Sequence, residues 1–161
     1  MTLRRATPAD AAELTELRAA MYVAWGDDPA GKEWRDSAIA MFERRLRDEL
    51  DSFVAYVVED ETGRLVASGV GWVTEHLPNP HNLTGLRGHI ASMSTLEGVR
   101  GKGHGRAVLD ALLEWFDQRG ILRVDLVATP MGEPLYRSVG FAEHGNATAL
   151  VRRPPPPPPP A

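Results

Sequence analysis

Residues 99–116 read VRGKGHGRAVLDALLEWF. Gly101, Gly103 and Gly105 alternate directly before a run in which Val108, Leu112 and Trp115, supported by Leu109 and Phe116, recur at helical spacing until Gly120. The pattern predicts a glycine-rich turn feeding a helix from Ala107 to Gln118. Neighbouring backbone amides in such a turn, together with the partial positive charge of the helix N-terminus, make an anion site. Glycine at 101, 103 and 105 removes side chains where the backbone must close on that anion and lets the turn visit positive φ.

Spacing decides which anion. An ATP-binding Walker loop ends in Gly-Lys-Ser/Thr, whereas here Gly103 is followed by His104 and Lys102 precedes that glycine. A dinucleotide fingerprint, GxGxxG, counted from Gly101 would need its third glycine at Arg106, and it belongs after the first strand of a βαβ unit rather than two-thirds along the chain. Neither motif fits.

Downstream of this helix, Ile121 to Ala128 alternates Leu122, Val124, Leu126 and Ala128 against Arg123 and Asp125, as a half-buried strand does. A short helix is expected near Gly132 to Ser138, ending at Gly140, with a final pair of strands in Phe141 to Val151. Upstream, His89 to Leu96 reads as a strand and HLPNPHNLTG as a polar loop. Phe53 to Val58 and Leu65 to Val73, joined by a turn containing Gly63, read as a hairpin. Two helices precede it. The second runs from about Trp34 to Leu50 with Ile39, Phe42, Leu46 and Leu50 in one stripe. The first carries Leu14, Leu17 and Met21 inward, leaves Glu13, Glu16 and Arg18 to water, and fades near Trp25. Thr7, Pro8 and Asp10 supply its N-terminal chemistry after a first strand at Leu3 to Ala6.

A chain of 161 residues, 43% hydrophobic and 25% charged, accommodates one compact domain with a core. The absence of cysteine excludes disulfides, thiol nucleophiles and thiolate zinc sites, and the five histidines lack tight ligand spacing, so no metal is expected. A net charge of -4 argues against a general nucleic-acid binder. The start MTLRRATPAD has no apolar signal core, and no stretch approaches the ~18 apolar residues of a membrane span, so a cytoplasmic protein without a membrane partner is expected. Pro154 to Pro160 offers no amide donors and reads as an extended polyproline tail outside the domain.

The order of strand, glycine turn and helix resembles the Gcn5-related N-acetyltransferase (GNAT) superfamily, with Arg100, Gly103 and Gly105 at the three defining positions of its RxxGxG/A acyl-CoA signature. The resemblance extends over nearly the whole globular part, from the LRRATPAD start to PLYRSVGF. It implies an α/β (α+β) fold over residues 1–153, a mixed, mostly antiparallel sheet of about six or seven strands flanked by about four helices. It also implies acetyl-CoA as acyl donor. Arg100, Gly101, Lys102, Gly103, His104, Gly105 and Arg106 would then wrap the pyrophosphate, and the backbone of Met93, Ser94 and Thr95 would pair with the pantetheine arm. Thr129 stands where many members place an asparagine on that arm.

The chemistry is implied in the same way. An amine attacks a thioester as the free base, yet an alkylammonium is only ~0.1% neutral at pH 7, so its proton must be removed. Glu97, three residues before Arg100, is the first candidate base by resemblance to the histone acetyltransferase branch. The alternative is a solvated carboxylate at a strand end, and His89 and His144 are further candidates. Tyr136, within PLYRSVGF, matches the superfamily's tyrosine that protonates the departing thiolate; a tyrosine packed on the core is its alternative. Tyr22, Trp25, Trp34 and Trp72 are candidates for the acceptor pocket or for the core. The expected activity is acetyl transfer to a primary amine of a small molecule in a ternary complex. Protein or peptide acetylation and a noncatalytic acyl-CoA sensor are the alternatives, and a homodimer is compatible with the family.

Overall fold

The computed structural model describes residues 1–145 and 152. In chain order it contains β1 (Thr2–Arg5), a 3-10 turn (Pro8–Asp10), α1 (Ala11–Ala24), α2 (Glu33–Asp48), β2 (Phe53–Glu59), β3 (Leu65–Glu75), β4 (Leu86–Thr95), a second 3-10 turn (Glu97–Val99), α3 (His104–Asp117), β5 (Val124–Leu126) and α4 (Glu133–Arg137). The five strands form one sheet in the order β1-β2-β3-β4-β5. All neighbours are antiparallel except β4 and β5, which are parallel.

The nearly unbroken apolar run of β2 requires cover on both faces. Val54 and Val58 pack into a core with Val108, Leu109, Leu112 and Phe116 of α3, while Phe53, Ala55 and Val57 pack against Leu14 and Leu17 of α1 and Phe42 and Leu46 of α2. Helix α3 lies close on the sheet because β3 and β4 offer it glycines. A Cβ on Gly88 would stand 2.6 Å from Cε1 of Phe116, and one on Gly71 would stand 3.0 Å from Cζ of the same ring.

The start of α1 is tied to the sheet. Asp10 accepts hydrogen bonds from the Thr7 amide at 2.7 Å and from Arg4 at 2.8 Å, and Arg4 also donates to Glu59 at 2.7 Å. The Arg4 guanidinium holds the Asp10 carboxyl down at about 2.

Several expectations change in three dimensions. Helix α2 stops at Asp48, and Leu50, expected on its buried stripe, is exposed. The strand expected over Ile121 to Ala128 shrinks to Val124–Leu126, because its partner β4 turns away beyond Ile90. Val127 is consequently exposed; Leu122, before the paired segment, is exposed as well, and Ile121 is buried. The sheet has five strands among the described residues. Of the final strand pair, Phe141 to Gly145 adopts no strand, and residues 146–151 lie outside the described residues, as does the polyproline run. No helix among the described residues is long and apolar enough to cross a membrane.

Candidate functional site

The site originates in one irregularity of β4. Ser68 pairs with Ser94 and Val70 with Ala91, so Ser92 and Met93 together oppose Gly69. This is a β-bulge, one extra residue that bends its strand. Ser92 takes φ 52, the one positive value at a non-glycine residue among those described. The Arg18 guanidinium donates to Ser92 Oγ and, at 2.6 Å, to the Tyr22 hydroxyl. Strand β5 pairs only with Gly88, His89 and Ile90, immediately before the bulge. Beyond it the two parallel strands diverge, and a cavity of about 800 Å³ opens between them. The β5-facing edge of β4 from Ala91 onward has no strand partner among the described residues, so backbone groups there, apart from the Thr95 carbonyl that Arg100 holds, are available to an amide-bearing ligand laid beside it.

At one end this cavity meets the glycine turn. Gly101 and Gly103 have φ values of 76° and 84°, and a Cβ at either would meet nothing within 4 Å, so the turn curls around open space. Gly103 precedes α3 without any side-chain cap and α3 has no acid in its first turn, leaving its leading amides for an anion. His104 Nε2 is buried with no hydrogen-bond partner among the described residues. Arg100 donates from Nε to the Thr95 carbonyl at 3.0 Å, tying the turn to the end of β4. A turn with empty space over its glycines, free amides and an orphaned imidazole fits the phosphates of an acyl-CoA.

Most of the residues singled out in the sequence converge here. Met93, Ser94, Thr95, Arg100, Gly101, Gly103, His104, Gly105, Arg106, Thr129 and Tyr136 all line the cavity, while Lys102 is exposed outside its lining. Thr129 Oγ1 accepts the Gly132 amide at 3.2 Å and so shapes the turn into α4. Tyr136 is 9% exposed, edge-on to Phe141 at 6.1 Å, and its hydroxyl makes no hydrogen bond among the described residues. Burial pushes its phenol up from the ordinary value. The side chain is thus both a core residue and a cavity wall.

A second cavity, about 870 Å³, adjoins the first and lies between α2, the loop before it and the sheet. Arg18, Tyr22, Trp72, Ala91 and Ser92 line both. Trp34 lines the second and Trp25 the first, so all four candidate aromatic residues face one cavity or the other. Tyr22 packs edge-on against Trp25 at 5.7 Å and Trp34 at 6.1 Å.

The candidate bases separate. Glu97 is exposed in the second 3-10 turn and His144 is exposed beside Arg123, both outside the two cavities. His89 lines the first cavity on β4, stacked on Trp72 at 5.6 Å, with Nε2 3.0 Å from Thr74 Oγ1. Burial lowers its basicity, partly opposed by the Asp125 carboxylate, so its neutral form is favoured.

Arg18 and Ser92 escaped the sequence reading. Helical periodicity sends Arg18 to water, yet it is half-buried. Its one sequence signal is the i,i+4 spacing to Tyr22, and the bulge at Ser92 leaves none.

The model of the acetyltransferase (GNAT) family matches residues 12–141. Among solved structures, a predicted acetyltransferase with acetyl-CoA from Clostridium acetobutylicum superposes with a TM-score of 0.82 at 25% identity, covering 93% of this chain and 95% of its own. A GCN5-related N-acetyltransferase from Ralstonia eutropha JMP134 gives 0.80 at 27% identity, covering 93% and 97%. Glucosamine-6-phosphate N-acetyltransferase from Arabidopsis thaliana, at 21% identity and 0.73 over 93% and 97%, shares the fold. No curated protein matches the chain in sequence.

Proposed function

The chain belongs to the GNAT acetyltransferase family and is an acetyl-CoA-dependent acyltransferase, and from that premise we propose that its acceptor is the primary amine of a small molecule, acetylated by direct attack in a ternary complex. The observation that carries the small-molecule reading is the second cavity, walled by aromatic side chains and joined to the first at the β4 bulge. Its aromatic walls suit a compact hydrophobic amine. We place the catalytic domain within residues 1–153, with 154–161 as an appended tail.

Acetyl-CoA supplies the activated acyl group. The turn from Arg100 to Arg106 would hold its phosphates, the free edge of β4 at Met93 to Thr95 its amide-rich arm, and Thr129 the opposite side of that arm. For proton removal we favour His89 over Glu97, because His89 alone of the two reaches the cavity and burial keeps it neutral. The tautomer in which His89 Nε2 donates to Thr74 leaves Nδ1 with the lone pair that takes the amine's proton. As the amine nitrogen bonds to the acetyl carbon and the carbon–sulfur bond breaks, the Tyr136 hydroxyl gives its proton to the sulfur; burial holds that proton in place until then.

A panel of amines and peptides incubated with acetyl-CoA, with thiol release as readout, tests the reading. Turnover of small amines is the expected result. Acetylation of peptides without any small amine would overturn it, and binding of acetyl-CoA without turnover of any amine would point to a sensor.

A further inference from the structure

We propose that the acceptor is a free α-amino acid with an aromatic or large aliphatic side chain, whose carboxylate is read by Arg18; the inference rests on the acetyl-transfer reading above. Arg18 lines both cavities at their junction, beside the bulge where the amine must meet the acyl group. Its two recorded partners, Ser92 Oγ and the Tyr22 hydroxyl, are neutral, and it has no carboxylate partner among the described residues. The acids on its own helix are engaged elsewhere. Glu16 binds Arg35 at 3.0 Å and Glu13 accepts the Leu65 amide at 2.9 Å. The other cation of the second cavity, Arg45, is paired with Glu49 at 2.7 Å.

A half-buried guanidinium without a counter-ion is a binding group for an anion, and guanidinium matches the two oxygens of a carboxylate. The same positive charge disfavours a simple alkylammonium, whereas an α-amino acid brings its own carboxylate one carbon from its amine. Asp27 and Asp28, both exposed, also line the second cavity and repel an anion from their part of its wall, which favours a carboxylate placed at Arg18. Other walls of this cavity are apolar, with Trp34, Met41, Phe42 and Trp72, and they suit a large hydrophobic side chain. Amine, carboxylate and side chain thus each meet a complementary surface, and the products would be an N-acetyl amino acid and the free thiol of CoA.

The test compares free phenylalanine and tryptophan with phenethylamine and tryptamine, which lack only the carboxylate, on the parent and on Arg18→Gln. A charged hydrogen-bonded group is worth about tenfold to a hundredfold, so the amino acids should exceed their amines in kcat/KM by that factor. Arg18→Gln should erase the difference by lowering the amino-acid rates. Equal or better use of the amines by the parent, or an equal loss for both classes in Arg18→Gln, would overturn the proposal and leave Arg18 as a support for the bulge. Calorimetry with N-acetylphenylalanine and N-phenethylacetamide, on the protein alone and with CoA, reads the same preference without turnover. Equal affinities there would overturn the carboxylate site, whereas failure to bind CoA would count against the acetyl-transfer reading instead.

Discussion

Two side chains carry the proposed proton transfers, and their environments set opposite protonation states. Tyr136 is buried in the core with α3 residues, and burial raises its phenol above the ordinary value, which favours the protonated, donating form. Tyr136→Phe retains the ring and removes the donor. Turnover should fall by about 10² to 10⁴ while acetyl-CoA affinity, measured by calorimetry, persists. Unchanged single-turnover rates would take Tyr136 out of the mechanism. His89 is shifted the other way, below its ordinary 6.5, so it is neutral at pH 7 and its base form is lost only as pH falls through that lowered value. The rate should therefore rise with pH along a limb below 6.5, and His89→Gln should remove that limb and lower kcat. If Glu97→Gln loses the rate and His89→Gln does not, the role returns to Glu97. Both histidine and glutamate were visible in the sequence, but their ranking depended on which one reaches the cavity. That is a matter of where β4 bends, which no local pattern records.

At the scale of elements, the turn before α3 was the most legible part of the chain. Alternating glycines and a strong apolar stripe are short-range signals, and they fix both the curl and the direction of the helix that follows. Gly103 sits at φ 84°, so a side chain there strains the backbone as well as filling the site. Gly105 is the cleaner probe. It lies within α3, and an added Cβ would meet only Thr95 Oγ1 at 3.5 Å and Leu135 Cδ2 at 3.7 Å, both ordinary contacts. Gly105→Asp should therefore fold with little change in melting temperature and lose acetyl-CoA binding, because its carboxylate repels phosphate at the helix N-terminus. Unaltered affinity by calorimetry would refute the assignment of this turn to the phosphates. The short β5 shows the opposite case. Its alternation predicted eight residues of strand, but pairing needs a partner, and β4 departs after Ile90.

For the molecule as a whole, the sheet is closed at its first edge by Arg4, which joins β1 to Asp10 at the head of α1 and to Glu59 of β2. Because the folded Asp10 carboxyl is held at about 2, below its ordinary 3.8, its contribution to stability is complete above that ordinary value and disappears as pH falls toward 2. Asp10→Asn should thus lower the melting temperature at pH 7, and the gap from the parent should close between pH 4 and 2; a gap independent of pH would assign the loss to packing. The order of elements through β4 and the glycine-rich turn before α3 were legible in the amino-acid sequence alone, since helical stripes, strand alternation and glycine spacing are all written within a few neighbouring positions. Packing alone sets where β4 and β5 part, turns Arg18 inward to the bulge at Ser92 and brings aromatic residues of α1 and α2 to line a second cavity. Those features arise from register between strands and from contact between residues 74 positions apart, and such pairings are fixed only when the sheet and its two covering layers pack together.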